Sequence, residues 1–172
     1  RSERAAGLNK GTDEGGGRTR VTLTAPRKYA GMAFRSDDPV EGGIARRWMY
    51  LPASGRARRI PATRRGRAFF GTDFSYADMQ SEIRFELDEW TFSGGEQIDD
   101  GKRLRYRLSG TAVSTSVARA LGYGAFEAEI DAATWIPMRI EFRDPRGKPL
   151  KTISVRAVSE IDGIWTPTEI VA

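Results

Sequence analysis

The chain has 172 residues, 39% of them hydrophobic and 10% aromatic, which is enough for one domain with a hydrophobic core. It contains no cysteine and no histidine, which excludes disulfides, thiolate metal sites and the commonest general base. The net charge of +5 favours an anionic partner such as lipid head groups, nucleic acid or an acidic protein, or is simply that of a basic solvated surface. No apolar run approaches the ~18 residues that a membrane-spanning helix needs.

The chain begins with a polar, glycine-rich stretch. Residues 7–18 read GLNKGTDEGGGR, which predicts a mobile loop or a frayed end. We therefore expect a flexible segment at 1–19 and one folded domain at 20–172. The first residue is Arg and no signal peptide is recognisable, so we expect a trimmed product that lacks the N-terminal portion of its domain.

Alternating apolar and polar residues predict strands in the next part of the chain. The first two are expected at residues 20–24 and 31–34. A third strand at 48–51 stops at Pro52, and a short turn leads into Arg56–Ile60. This order predicts a β-hairpin.

The second half of the chain alternates more regularly. Residues 102–108 place Leu104, Tyr106 and Leu108 on one side of a strand and three arginines on the other. Tight turns such as Asp-Asp-Gly at 99–101 separate the strands, a pattern typical of an antiparallel meander. The predicted strands lie at residues 83–87, 90–92, 102–108, 123–131, 136–142, 151–158 and 164–170.

Two short helices are predicted between the strands. One covers residues 75–80 with Ser75 as its N-cap, and the other covers 114–121, with Ser114 or Ser116 as its N-cap and Gly122 at its end. The apolar side of the predicted sheet needs a cover. A second sheet, barrel closure, these helices or a bound lipid could each provide it.

Several motifs in a fixed order give the chain a family resemblance. Those of the first half are WMYLP at 48–52, RARRI at 56–60 and FGTDFSYAD at 70–78. Those of the second half are WIPMRIEF at 135–142, Asp144, GKPLK at 147–151 and IDGIWTP at 161–167. Over residues 20–172 the set resembles the LolA-like outer-membrane lipoprotein-sorting family, in particular the branch associated with RND-type exporters.

The resemblance implies a mainly β (α+β) fold, in which a strongly curved antiparallel sheet forms a half-barrel and short helices cover its concave face. It also implies a periplasmic, non-catalytic carrier or chaperone that holds lipids or lipoprotein acyl chains for outer-membrane sorting or export, without a cofactor or metal. The alternative is a non-catalytic periplasmic adaptor module that docks on an RND-type exporter.

An acyl chain binds by apolar burial, at about 0.8 kcal/mol per methylene. The aromatic and aliphatic side chains of the matching strands are therefore the candidate lipid-binding residues, although each could equally be ordinary core. The predicted helices would gate the site. The candidates are Trp48, Tyr50, Phe69, Phe70, Phe74, Tyr76, Met79, Leu104, Tyr106, Met138 and Ile140.

The candidate partner-binding residues are the arginines of a basic ridge, whose guanidinium groups suit phosphates or an acidic docking face. The alternative is a charged hairpin edge that resists aggregation. These residues are Arg56, Arg58, Arg59, Arg64, Arg65 and Arg67.

Two further classes of function fit the chain less well. Nucleic-acid binding needs aromatic and basic residues on one face, and the predicted strands separate them. An enzyme needs a nucleophile and a base, and no such set is visible. Asp73 and Asp78 could suggest acid–base chemistry or a cation site, but their positions suit turn and helix-start roles better.

Overall fold

A computed structural model describes residues 8–13, 16–39, 46–79, 87–99, 101 and 103–172. By the density of internal contacts, the chain divides into two compact units, Arg1–Arg84 and Phe85–Ala172. Each unit has its own antiparallel sheet. Within the described ranges, no helix has the length and apolar character required to span a bilayer.

The sheet of the first unit is a five-stranded meander in which each strand pairs with the next in the chain. The hairpin predicted around Pro52 is confirmed, with pairing from Arg47–Ile60 to Leu51–Arg56. A 3-10 helix at Pro52–Ser54 and the left-handed Gly55 (φ 61°) reverse the chain between these strands. The strands are β1 (Leu8–Asp13), β2 (Gly16–Thr22), β3 (Ala33–Pro39), β4 (Arg46–Leu51) and β5 (Arg56–Ile60).

The loop predicted at residues 7–18 is wrong for the described residues of that range, where β1 and the start of β2 pair from Leu8–Val21 to Asp13–Gly16. A ladder is built from backbone N–H and C=O groups, which glycine-rich segments also carry, so it forms here without apolar alternation. The expected domain boundary at residues 19–20 falls within β2. The strand predicted at residues 31–34 is longer than expected, because β3 pairs with β2 on one side and with β4 on the other.

The first sheet has two different faces. Antiparallel cross-strand partners share a face, and Val21, Phe34 and Met49 are successive partners on β2, β3 and β4. We call their side the cluster face. Against it packs the segment 61–79, which begins with a 3-10 helix at Ala62–Arg64. The buried hydrophobic cluster of this unit consists of Val21, Leu23, Phe34, Ile60, Phe69 and Tyr76.

The second unit is a six-stranded meander with one helix between its second and third strands. The predicted helix is confirmed at α1 (Thr115–Leu121): Ser114 Oγ accepts a hydrogen bond from Val117 N, and the left-handed Gly122 (φ 80°) ends it. The strands are β6 (Trp90–Asp99), β7 (Leu104–Ala112), β8 (Ala125–Asp131), β9 (Pro137–Arg143), β10 (Pro149–Ile161) and β11 (Ile164–Val171).

The second sheet is apolar on one face and charged on the other. Phe126, Ala128, Ile140, Phe142 and Ile153 are buried on the apolar face. The opposite face carries ion pairs between neighbouring strands, at 2.9 Å from Arg105 Nη1 to Glu129 Oε2 and 3.6 Å from Arg107 Nε to Glu127 Oε1. The alternation predicted for residues 102–108 is therefore confirmed.

The helix predicted at 75–80 is wrong in its described part, where residues 76–79 form turns. The amides of Tyr76 and Ala77 donate to the carbonyls of Arg67 and Arg65, and these bonds to an earlier segment replace the helical ones. Residues 80, 83–86, 100 and 102 lie outside the described part of the chain. The prediction of a mainly β, antiparallel fold is confirmed.

Candidate functional site

A tight aromatic turn lies at residues 68–75. A bridge between Ala68 and Ser75 closes it, and Phe69 N donates to Phe74 O at 2.7 Å. Phe70 has a φ of 49° in the left-handed region, where a bulky side chain is rarely found and the backbone is strained. The turn holds the adjacent rings of Phe69 and Phe70 with their centroids 4.7 Å apart.

The aromatic rings of this turn pack against the cluster face of the first sheet. The ring centroid of Phe69 is 5.8 Å from that of Phe34 and 5.6 Å from that of Tyr76, both in edge-to-face geometry. Such pairs contribute about 0.5–1.5 kcal/mol each beyond their buried area. The first unit therefore has an aromatic centre that several independent contacts hold in place.

Tyr76 shows how apolar this centre is. Its ring is buried and its hydroxyl donates to Met49 Sδ at 3.8 Å, a weak acceptor. Burial raises the pKa of Tyr76 above its ordinary value, because a phenolate would lose its hydration there. The immediate surroundings of the Tyr76 ring are therefore apolar.

Five of the predicted lipid-binding residues meet at this centre. Phe69 and Tyr76 belong to the buried cluster, while Phe70, Phe74 and Met79 are partly buried and pack against it. The first two fill the core of the unit. The other three form its partly exposed border.

A buried polar row, which the sequence did not predict, lies on the same face. Thr19, Ser36 and Arg47 are successive cross-strand partners on β2, β3 and β4, and all three are buried. Each residue of this row lies two positions along its strand from an apolar residue of the cluster face. An arginine that alternates with core-facing apolar residues was therefore the sequence signal that could have revealed the row. The cluster face therefore combines an apolar centre with a polar row that includes a cation.

Trp48 and Tyr50 lie on the opposite face of the first sheet, away from the cluster. Trp48 has Arg35 and Arg59 as its cross-strand partners. Our expectation that strands separate aromatic from basic residues is wrong here, because Arg46, Trp48 and Tyr50 alternate with Arg47 and Met49 and so share one side of β4.

The basic ridge is divided among three places. Arg59 lies beside Trp48, whereas Arg56 and Arg58 occupy the alternate positions of β5. The others follow in the segment 61–67, where Arg65 Nε donates to Ala62 O at 3.2 Å. All six side chains are exposed or partly exposed. Binding of a partner by Arg56, Arg58, Arg59, Arg64, Arg65 and Arg67 stays a prediction.

The remaining predicted lipid-binding residues belong to the second unit. Ile140 is fully buried between its partners Ala128 and Ile153. Leu104, Tyr106 and Met138 are partly buried. The ring of Tyr106 stacks on Trp135 at 5.6 Å, and Trp135 is 69% exposed. Tyr106 and Trp135 therefore form a solvent-accessible aromatic pair in the second unit.

A carboxylate organises the turn that presents Trp135. Asp131 Oδ1 accepts hydrogen bonds from Ala133 N (3.0 Å), Thr134 N (2.9 Å) and Thr134 Oγ1 (3.1 Å). Burial by itself would raise the pKa of Asp131, but these hydrogen bonds and the charge of Arg103 lower it below its ordinary value. Asp131 therefore serves the turn as an ionised acceptor.

The two acidic residues considered in the sequence, Asp73 and Asp78, have different surroundings. Asp78 Oδ2 accepts from Ser75 N at 2.6 Å, and Ser75 Oγ accepts from Asp78 N at 3.3 Å, which matches the predicted turn role of Asp78. Asp73 is exposed in the aromatic turn. Among the described residues, no group of three or more acidic, Cys or His side chains could hold a metal ion.

The fold agrees with that of known proteins. A family model described as "Uncharacterized protein" matches residues 15–172. A domain named as an outer membrane lipoprotein-sorting protein, from Vibrio parahaemolyticus, superposes with a TM-score of 0.79 at 25% identity. That match covers 95% of this chain and 67% of the other. No curated protein matches the chain.

Two further solved structures, both under 25% identical, show the same fold. One is a DUF1329 family protein from Desulfovibrio piger, with a TM-score of 0.73, 21% identity and coverage of 98% of this chain and 67% of that one. The other is a LolA superfamily protein from Nitrosomonas europaea, with a TM-score of 0.60, 18% identity and coverage of 91% and 64%. The chain therefore belongs to the family that this model describes, and its fold is the one found in these lipoprotein-sorting and LolA superfamily structures.

Proposed function

We propose that this protein is a non-catalytic periplasmic carrier that holds lipids or lipoprotein acyl chains for outer-membrane sorting or export. The observation that carries the proposal is the aromatic centre of the first unit, with its border of Phe70, Phe74 and Met79. The fold that the chain shares with the Vibrio parahaemolyticus lipoprotein-sorting domain supports the same class of cargo.

The binding step is the transfer of an acyl chain from water or a membrane to the border of this centre. Burial of about eight methylenes supplies about 6 kcal/mol before the cost of association. The aromatic rings provide rigid apolar area at a low cost in side-chain entropy.

Displacement of a fluorescent fatty acid by a triacylated lipopeptide tests the proposal. Phe74→Ala trims the border of the centre, and we expect it to weaken probe binding about tenfold, as the loss of a partly buried aromatic contact does. Phe92→Ala is the matched control, because Phe92 is a partly buried phenylalanine in the second unit. Equal loss in the two variants, or no saturable binding by the unaltered protein, contradicts the proposal.

A second candidate is an adaptor that docks on an RND-type exporter, and the exposed arginines of the segment 61–67 favour it. Their charge complements an acidic docking face. Crosslinking to the periplasmic domain of an exporter should then be lost in Arg64→Glu/Arg67→Glu and retained in Arg143→Glu/Arg146→Glu, which reverses two exposed charges in the second unit. Crosslinking that both variants retain argues against this candidate.

A further inference from the structure

The face of the first sheet opposite the cluster is rich in arginine and aromatic side chains. Arg20, Arg35, Trp48 and Arg59 are successive cross-strand partners on β2, β3, β4 and β5. They form one row that spans about 14 Å at the usual spacing of strands. The guanidinium carbon of Arg35 lies 5.8 Å from the ring centroid of Trp48, within the range of a cation–π contact.

A second row continues the same face. Tyr50 lies between Ala33 and Ala57 on the neighbouring strands, so small partners flank its ring and 39% of the residue is exposed. Tyr50 and Trp48 are two residues apart on β4 and share one side of the sheet. We call the set Arg20, Arg35, Trp48, Tyr50 and Arg59 the arginine–aromatic face.

The charge around this face is strongly positive. In the neighbouring row, Asp37 lies between Arg18 and Arg46 in the strand register, and its carboxylate accepts from Arg35 Nε at 2.7 Å and Nη2 at 2.9 Å. The described side chains on this side of the sheet therefore include five arginines and only one carboxylate. All five arginines are exposed.

We propose that the arginine–aromatic face docks on the surface of an anionic phospholipid bilayer. Guanidinium groups bind phosphates through paired hydrogen bonds, and basic side chains near an anionic surface each add to the attraction. Trp and Tyr prefer the boundary between head groups and acyl chains, where the ring is apolar and its polar atom is hydrated. The inference goes beyond the proposed carrier function and does not depend on it, because this face is opposite the aromatic centre.

The arrangement favours a bilayer over nucleic acid. A single strand of nucleic acid stacks its bases on several aromatic platforms along a basic groove. Here Trp48 has an arginine partner on each side, and Asp37 beside Arg35 would repel a continuous phosphate chain. Separate lipid head groups can each bind an arginine without contacting the carboxylate of Asp37.

Sedimentation with lipid vesicles tests the proposal on the full chain. The vesicles contain three parts phosphatidylcholine to one part phosphatidylglycerol, and vesicles of phosphatidylcholine alone are the reference. Arg20→Gln/Arg59→Gln removes two charges from the arginine–aromatic face. Arg56→Gln/Arg58→Gln is the matched control, because it removes the same charge from the alternate positions of β5.

We expect the unaltered protein to bind the anionic vesicles and not the neutral ones. Arg20→Gln/Arg59→Gln should weaken that binding about thirtyfold, and the control variant should weaken it less than about threefold. Added NaCl at about 0.5 M, where the Debye length is about 4 Å, should release the protein. A blue shift of fluorescence on binding should shrink in Trp48→Phe, because the indole enters the head-group region.

Three outcomes overturn the inference: equal binding to neutral vesicles, equal loss in the two double variants, and binding to an oligonucleotide with none to vesicles. Circular dichroism checks that the variants are folded. The fatty-acid displacement assay is a separate readout. If the unaltered protein binds fatty acid but not anionic vesicles, this inference alone is refuted, and if it binds anionic vesicles but not fatty acid, the carrier function alone is refuted.

Discussion

Gly110 is the position where the packing of the second unit makes the sharpest prediction. It lies on β7 between Phe92 of β6 and Phe126 of β8. A Cβ at this position would be 2.2 Å from Phe126 Cε1 and 2.6 Å from Cζ, closer than any normal contact. Phe126 is buried in edge-to-face contact with Trp90, with centroids 4.9 Å apart, so its ring cannot simply move aside.

Two opposing terms decide the sign of Gly110→Ala. Alanine stabilises a strand by about 0.5–1 kcal/mol relative to glycine because it restricts the unfolded chain. Overpacking a buried site costs about 1–3 kcal/mol, and a contact of 2.2 Å with a buried ring lies at the upper end. We therefore expect a net loss of about 2–2.5 kcal/mol, or about 4–10 °C in Tm for a chain of this size.

Urea unfolding followed by circular dichroism measures this loss. Ser109→Ala is the control, because Ser109 points to the charged face, and it should change stability by less than about 0.5 kcal/mol. Phe126→Leu makes room for the new methyl, so the double variant should recover on the order of 1 kcal/mol relative to additivity. If Gly110→Ala is as stable as Ser109→Ala, or if the two substitutions add without coupling, the packing argument is refuted.

Three further changes test other parts of the structure. Phe69→Ala removes the buried ring at the middle of the aromatic centre and should cost about 3–5 kcal/mol in urea unfolding; a loss below about 1 kcal/mol would mean that the centre is not packed. Asp131 has a lowered pKa in the folded state, so its stabilisation is present above about pH 4 and is lost as the pH falls through the folded value. The stability gap between the protein and Asp131→Asn should therefore narrow on acidification, and a constant gap would contradict the role of the carboxylate. Because burial raises the pKa of Tyr76, its phenolate should form only above about pH 10, and Tyr76→Phe should remove that late step from an ultraviolet titration.

Local signals were sufficient for most of the second unit. Strict alternation of apolar and charged residues, as at Leu104 and Tyr106, coincides with a strand that is apolar on one side and ion-paired on the other. The serine and glycine at the two ends of α1 mark that helix, because each makes a cap bond that short-range sequence encodes.

The first unit was harder to predict because long-range pairing decides its structure. The glycine-rich β1 has no alternation and exists through its ladder with β2. The segment at 75–79 carries helix-start residues, yet hydrogen bonds to residues 65 and 67 hold it in turns. In both places, contacts distant in sequence outweigh local propensity.

The candidate site was predicted in part. The motif that contains Phe69 and Tyr76 does form the aromatic centre, because aromatic side chains beside a tight turn are buried against the neighbouring apolar face. The side on which Trp48 lies depends on the register of β4, and its arginine partners come from β3 and β5. Register across strands is set by the whole sheet, so the arginine–aromatic face could not be read from one strand.

Native mass spectrometry of the protein purified from bacterial membranes tests the carrier function most directly. We predict a population carrying one lipid or acylated peptide, and that population should fall in Phe74→Ala while it persists in Phe92→Ala. A spectrum with only the ligand-free mass, after expression in cells with intact envelope lipids, would contradict the central claim.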